Sequence, residues 1–91
     1  MEEPWYDTCR KHFDARDEAI ASLDTAVKVM KEVAGAMLRK RLAQGFSLVG
    51  DVVIDHISVI EVIENRHELL YRKGTAYIEV RTVATLQKAA A

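Results

Sequence analysis

Apolar residues recur along this 91-residue chain at alternating steps of three and four, in two runs separated by a glycine. The first run is Phe13, Ile20, Leu23, Val27, Met30, Ala34 and Met37. The second is Val49, Val53, His56, Ile60, Ile63, His67, Leu70, Gly74 and Tyr77. Such spacing lays side chains along one stripe of an α-helix and is the mark of a coiled-coil seam. Gln44-Gly45-Phe46-Ser47 lies between the runs, and no proline follows Pro4. The pattern predicts an all-α fold: one helical-hairpin domain over residues 1–91, associating into a helical bundle. It has an N-terminal arm over 1–7, helix one over about 8–43 and helix two over about 47–88.

Helix one carries Asp17, Lys28, Lys31 and Lys40 on its outer face, and Ala19, Ala26 and Val33 flank its stripe. Arg39-Lys40-Arg41 falls near its end, where cations suit the helix dipole. Helix two is less regular. Nine valines and isoleucines lie between Val49 and Ile63, and these side chains favour strands. Val52, Ile54, Ile57, Val59 and Val62 spread beyond any narrow seam, so they form the expected oligomer interface if the segment is helical. Gly74 to Arg81 also alternates as a strand would. The alternative fold is therefore α+β, a helix followed by a β-hairpin with residues 64–74 as its connection.

A chain of this length buries a modest core, which makes homo-oligomerisation a natural source of stability. The formal net charge is −1, so no electrostatic footprint for nucleic acid or an anionic membrane is present. The single cysteine, Cys9, excludes an internal disulfide. The start, Met1-Glu2-Glu3-Pro4, is acidic and lacks the apolar run of a secretory signal, and no membrane span is expected. The cytoplasm is the expected compartment.

Few residues point to chemistry. His56 and His67 share the second stripe but would lie roughly 16 Å apart on one helix, as register-setting seam residues. Glu64 and His67 form a Glu-x-x-His step, half of a di-iron carboxylate site if a dimer doubles it. Folding the hairpin about Gly45 brings Asp24 to that height, so Asp24, Glu64 and His67 are the candidate ligands of an alternative, iron-binding four-helix dimer. Otherwise no cofactor is expected. Cys9 and His12 lie three apart on what would be a first helical turn, a weak metal pair, and a thiol placed there would be acidified. Trp5, Tyr6 and Phe13 would plug one end of the bundle. A second alternative is a small all-helical enzyme using Arg39, Arg41 and Arg66 on an anionic substrate. No phosphate loop or nucleophile elbow is present, and the chain reads as a non-enzyme first.

The hinge itself carries a family resemblance. Arg41-Leu42-Ala43-Gln44-Gly45-Phe46-Ser47-Leu48-Val49-Gly50-Asp51-Val52 resembles the helical-hairpin tip of TolC-type outer-membrane efflux channel proteins. Those proteins have an arginine, a glycine four later, a small polar residue at the turn and an Asp-Val pair opening the return helix. The tight match covers about fifteen residues, and the second half needs an insertion of about a turn to stay in register. The resemblance implies that Arg41, Gly45 and Ser47 dock a protein partner, a periplasmic adaptor in that family. It implies that Asp51 lies near a constriction, and that the compartment is periplasmic if the chain is a piece of such a channel. The expectation is a self-associating helical-hairpin interaction module with its tip at Gly45.

Overall fold

Ala76, Ile78, Val80, Thr82, Ala84 and Leu86 are buried, and the residues between them are half-buried or exposed. That period of two belongs to a strand with one covered face. In the computed structural model, which describes residues 1–64 and 72–89, this segment is the central strand of a three-stranded antiparallel sheet. The elements run β1 (Glu2–Phe13), α1 (Arg16–Ala21), α2 (Leu23–Leu42), β2 (Phe46–Glu61) and β3 (Ala76–Lys88). The strand order is β1-β3-β2, and β3 is antiparallel to both neighbours. Strands β1 and β2 therefore point the same way, and the two helices carry the chain from the end of one to the start of the other.

The all-α fold and its helical hairpin are overturned. The expected arm and the start of helix one are β1, and all of expected helix two that the structure describes is β2, its connection and β3. Among the described residues the helical stretch is 16–42, bent at Ser22 (φ −98°, ψ 3°) between α1 and α2. The cause in β2 is a pair of register shifts, one between Val49 and Val53 and one between Ile54 and His56. Each inserts extra residues into the strand, so one face is revisited after four or three residues instead of two. Val49, Val53, His56 and Ile60 oppose Thr85, Val83, Arg81 and Tyr77, all on one face of β3. Bulges have thus written a helical spacing into a strand. Gly50 sits in the first shift with φ +76°, backbone that glycine adopts without strain. Ile54, Ile57 and Val59 oppose Thr82, Val80 and Ile78 on the other face, which is why they fit no single seam.

The helices cover that second face. Ala19, Ala26, Met30, Ala34 and Leu38 are buried against it. The core joins Ala19, Ala26 and Met30 to Ala76, Ile78 and Val80, with Cys9, Phe13, Leu23, Val27, Ile54 and Val59 packed around them. Ala19 and Ala26, expected to flank the stripe, are buried with Ala34, because a small side chain lets the helix approach the sheet. Ile78, Val80 and Leu86 are fully buried, each contributing about 1.5–3 kcal/mol relative to exposure. Asp17 and Glu18 open α1, Asp24 opens α2, and Arg39, Lys40 and Arg41 close it, all matching the helix dipole. Among the described residues no helix is long and apolar enough to cross a membrane.

Candidate assembly surface

None of the described residues covers the opposite face of the sheet, and the strand register fixes what lies on it. Reading across β1, β3 and β2, the rows are Pro4–Thr85–Val49, Tyr6–Val83–Val53, Thr8–Arg81–His56, Arg10–Glu79–Ser58 and His12–Tyr77–Ile60. The two end regions are largely apolar or aromatic. Tyr6 is 69% exposed and Val53 50%. Around Tyr6, Val53, Val83 and Thr85 the surface dips, with Pro4 and Asp51 at its border, into a depression of about 300 Å³. At the other end the His12 and Tyr77 rings lie 5.4 Å apart, tilted by 36°.

The middle two rows are charged. Arg10 donates from Nε to Glu79 Oε2 at 2.7 Å. His56 Nε2 lies 3.2 Å from Glu79 Oε1 and 3.1 Å from Ser58 Oγ. Arg81 makes a two-pronged bond to Asp55, 2.8 Å on each arm. That bond holds the Asp55 carboxyl below its ordinary range and the Arg81 guanidinium above its own. Glu79 and Arg81, two apart on β3, thus put a negative and a positive group next to each other along the strand.

The residues singled out in the sequence scatter. Arg41 stacks its guanidinium on Phe46 at 4.3 Å, bonds Gln44 at 2.9 Å and reaches Glu3 at 3.2 Å. Gly45 makes the turn from α2 into β2 with φ +96°, and Ser47 Oγ donates to the Gln87 carbonyl at 3.4 Å. Asp51 is exposed in the first register shift of β2. These residues line a helix end, a turn and an edge strand, so the docking tip of a helical hairpin does not form. Of the expected oligomer interface, Val62 is buried, Ile54 and Val59 pack on the core, and Val52 and Ile57 are 38% and 49% exposed.

The four-helix di-iron site falls with the helical bundle that it requires. Asp24 is exposed on α2, Glu64 follows β2, and His67 and Arg66 lie outside the described residues. No cluster of three or more metal-ligating side chains occurs among the described residues. The arginine site of an all-helical enzyme lacks its scaffold for the same reason. Cys9 and His12 sit on a strand, so they face opposite sides of the sheet: Cys9 opposes Val80, His12 opposes Tyr77. Trp5 and Phe13 face the helices near opposite ends of β1, and Tyr6 faces away, so no end plug forms. The thiol expected to be acidic is instead pushed up to about 11, by burial first and then by its 2.9 Å bond to Asp7. Sequence reasoning passed over Arg10, Glu79 and Arg81; the alternation of residues 76–88 signalled the two on β3, and nothing comparable signalled Arg10. No protein-family model, curated protein or solved structure matches the chain.

Proposed function

We propose that the protein is the subunit of a homo-oligomer, built by packing the uncovered face of its sheet on the same face of a second copy. The observation that carries this reading is the order of charge along β3. A two-fold axis lying in the interface, across the strands at the level of Val80, sets Glu79 of each copy against Arg81 of the other. The same axis lays the Tyr6–Val83–Val53 row over the His12–Tyr77–Ile60 row. An axis along the strands would oppose Glu79 to Glu79 and Arg81 to Arg81, which like-charge repulsion disfavours. Three strands about 4.8 Å apart and some twelve residues long offer roughly 570 Å² of flat face. Side-chain relief brings that near the ~800 Å² per partner of a standard interface.

Sedimentation equilibrium tests the reading. The native chain sediments as a dimer or a multiple of one. Glu79→Arg and Arg81→Glu, each alone, weaken assembly at least about tenfold, and the double exchange restores it. Circular dichroism checks that each variant keeps its fold. A native monomer, or an oligomer indifferent to all three changes, overturns the proposal.

A further inference from the structure

On the helix side of the sheet a groove of about 260 Å³ opens between the C-terminal half of α2 and the irregular part of β2. Its walls are apolar: Leu38 and Leu42 from the helix, Val52 and Ile54 from the strand. Two features hold it open. Gly35 on the helix flank presents no side chain, although a methyl group there would meet only the Arg39 guanidinium, at an ordinary 3.5 Å. Helix packing on the sheet therefore does not demand a glycine, and the missing side chain leaves room. The register shifts around Val52 and Asp55 keep β2 from closing regularly beneath it.

The polar side chains of the groove have no partners among the described residues. Lys31 and Arg39 stand at its rim, and neither has a carboxylate partner among the described residues. Thr82 forms part of the floor; it is 3% exposed, and its hydroxyl, shut off from solvent, has no hydrogen-bond partner among the described residues. A buried hydroxyl ordinarily finds one. Cations at the mouth, an apolar waist and a lone hydroxyl in the depth describe the complement of one kind of molecule. The volume falls just below the ~300–1,000 Å³ of drug-sized sites, so the body it admits is about one ring in size.

We infer that this groove binds a small aromatic carboxylate with a hydrogen-bonding atom at its far end. Arg39 takes the carboxylate through paired N–H donors, with Lys31 beside it. The ring lies between Leu38 and Leu42 on one side and Val52 and Ile54 on the other. The distal atom reaches the Thr82 hydroxyl, which can donate or accept, by displacing the side chains that close over it. The site opens on the helix side of the sheet, shares only Val53 with the depression on the assembly face, and does not depend on that reading.

Methyl-resolved NMR of the full chain, titrated with 4-hydroxyphenylacetate, tests it. Saturable shifts are expected at Leu38, Leu42, Val52 and Ile54. Phenylacetate and the neutral 4-hydroxyphenylacetamide each bind about tenfold more weakly, one lacking the distal hydroxyl and the other the charge. Arg39→Gln, at an exposed position, removes the advantage of the acid over the amide. Thr82→Val removes the preference for the hydroxylated acid. Gly35→Val fills the groove and abolishes binding. The proposal is overturned if no saturable shift occurs up to about 10 mM ligand. It is equally overturned if Arg39→Gln and Gly35→Val leave binding intact. Shifts of the same methyls with protein concentration alone also overturn it, because a second copy then occupies the groove.

Discussion

Cys9 shows how one neighbour changes a side chain's chemistry. Its thiol is partly buried under the helices and donates to Asp7 Oδ2 at 2.9 Å. Ionising it would strand a charge in a poorly solvated place, break that bond and set two anions side by side, so the pKa rises from 9.0 to about 11. Alkylation by iodoacetamide at pH 8 should run about a hundredfold slower in the folded chain than in urea, because the thiolate is the nucleophile. Asp7→Asn should recover part of the rate. Linkage gives a second readout. A folded pKa above the unfolded one means a contribution fully present below about pH 9 and lost as pH rises through about 11. Urea melts at pH 8 and pH 11 should differ in the native chain and differ less in Cys9→Ala. Two glycines give an opposed pair of expectations. Gly45, at φ +96° with open space around it, bears only a backbone constraint, so Gly45→Ala should cost about 1–2 kcal/mol. Gly35 lies inside a helix with room for a methyl group, and Gly35→Ala should gain about 1 kcal/mol. Urea denaturation of the two variants measures both signs.

At the scale of elements, β2 is a long edge strand whose two halves are protected unequally. Its first half carries the register shifts, Gly50, and the charges of Asp51 and Asp55, devices that keep another strand from adding. Its second half, His56 to Glu61, is regular, β-branched and at the edge, with Ile57 49% exposed. Ile57→Lys should therefore delay the appearance of thioflavin-positive aggregate severalfold while moving the urea midpoint little. Asp55→Val should act the other way. The same strand explains what the sequence could and could not reveal. Its valines and isoleucines declared a strand by type, yet two bulges spaced Val49, Val53, His56 and Ile60 as a helix would. Bulges depend on pairing with β3, which local periodicity cannot see. β1 was harder still. Its helix-facing row is Glu3, Trp5, Asp7, Cys9, Lys11 and Phe13, too polar to alternate visibly, and it is a strand because twelve residues find register with β3. The helix was legible in Leu23, Val27, Met30 and Ala34. The pairing of Glu79 with Arg10 and His56, and the groove over Thr82, arise only when distant segments meet.

For the whole molecule, a helix layer on one side of a sheet leaves a thin, elongated body, 51 × 26 × 17 Å. Among the described residues, nearly half of the buried apolar ones are alanines: Ala19, Ala26, Ala34, Ala76 and Ala84. Each alanine buries little apolar area, so the isolated subunit is expected at the low end of the stability for its length. Association through the open face would raise that stability by mass action, and the unfolding temperature would then depend on protein concentration. For a dimer of about 180 residues a tenfold increase in concentration should raise the midpoint by about 3–6 °C. Glu79→Arg should flatten this dependence, and the Glu79→Arg/Arg81→Glu exchange should restore it. Salt separates the two parts of the interface. In the proposed dimer the facing Glu79 and Arg81 would lie near the surface and be screened within about 8–10 Å at physiological ionic strength, whereas the packing of Tyr6, Val53 and Val83 on Ile60 and Tyr77 would not be. Raising salt from about 0.05 to 0.5 M should weaken the native dimer severalfold without dissolving it. A Tyr6→Lys/Val53→Lys variant should instead be a monomer at every ionic strength, with a midpoint that no longer moves with concentration. Differential scanning calorimetry at two concentrations and two salts, on these four chains, reads all of it. A native midpoint unmoved by concentration would mean that the subunit is stable alone and that its open face serves no second copy.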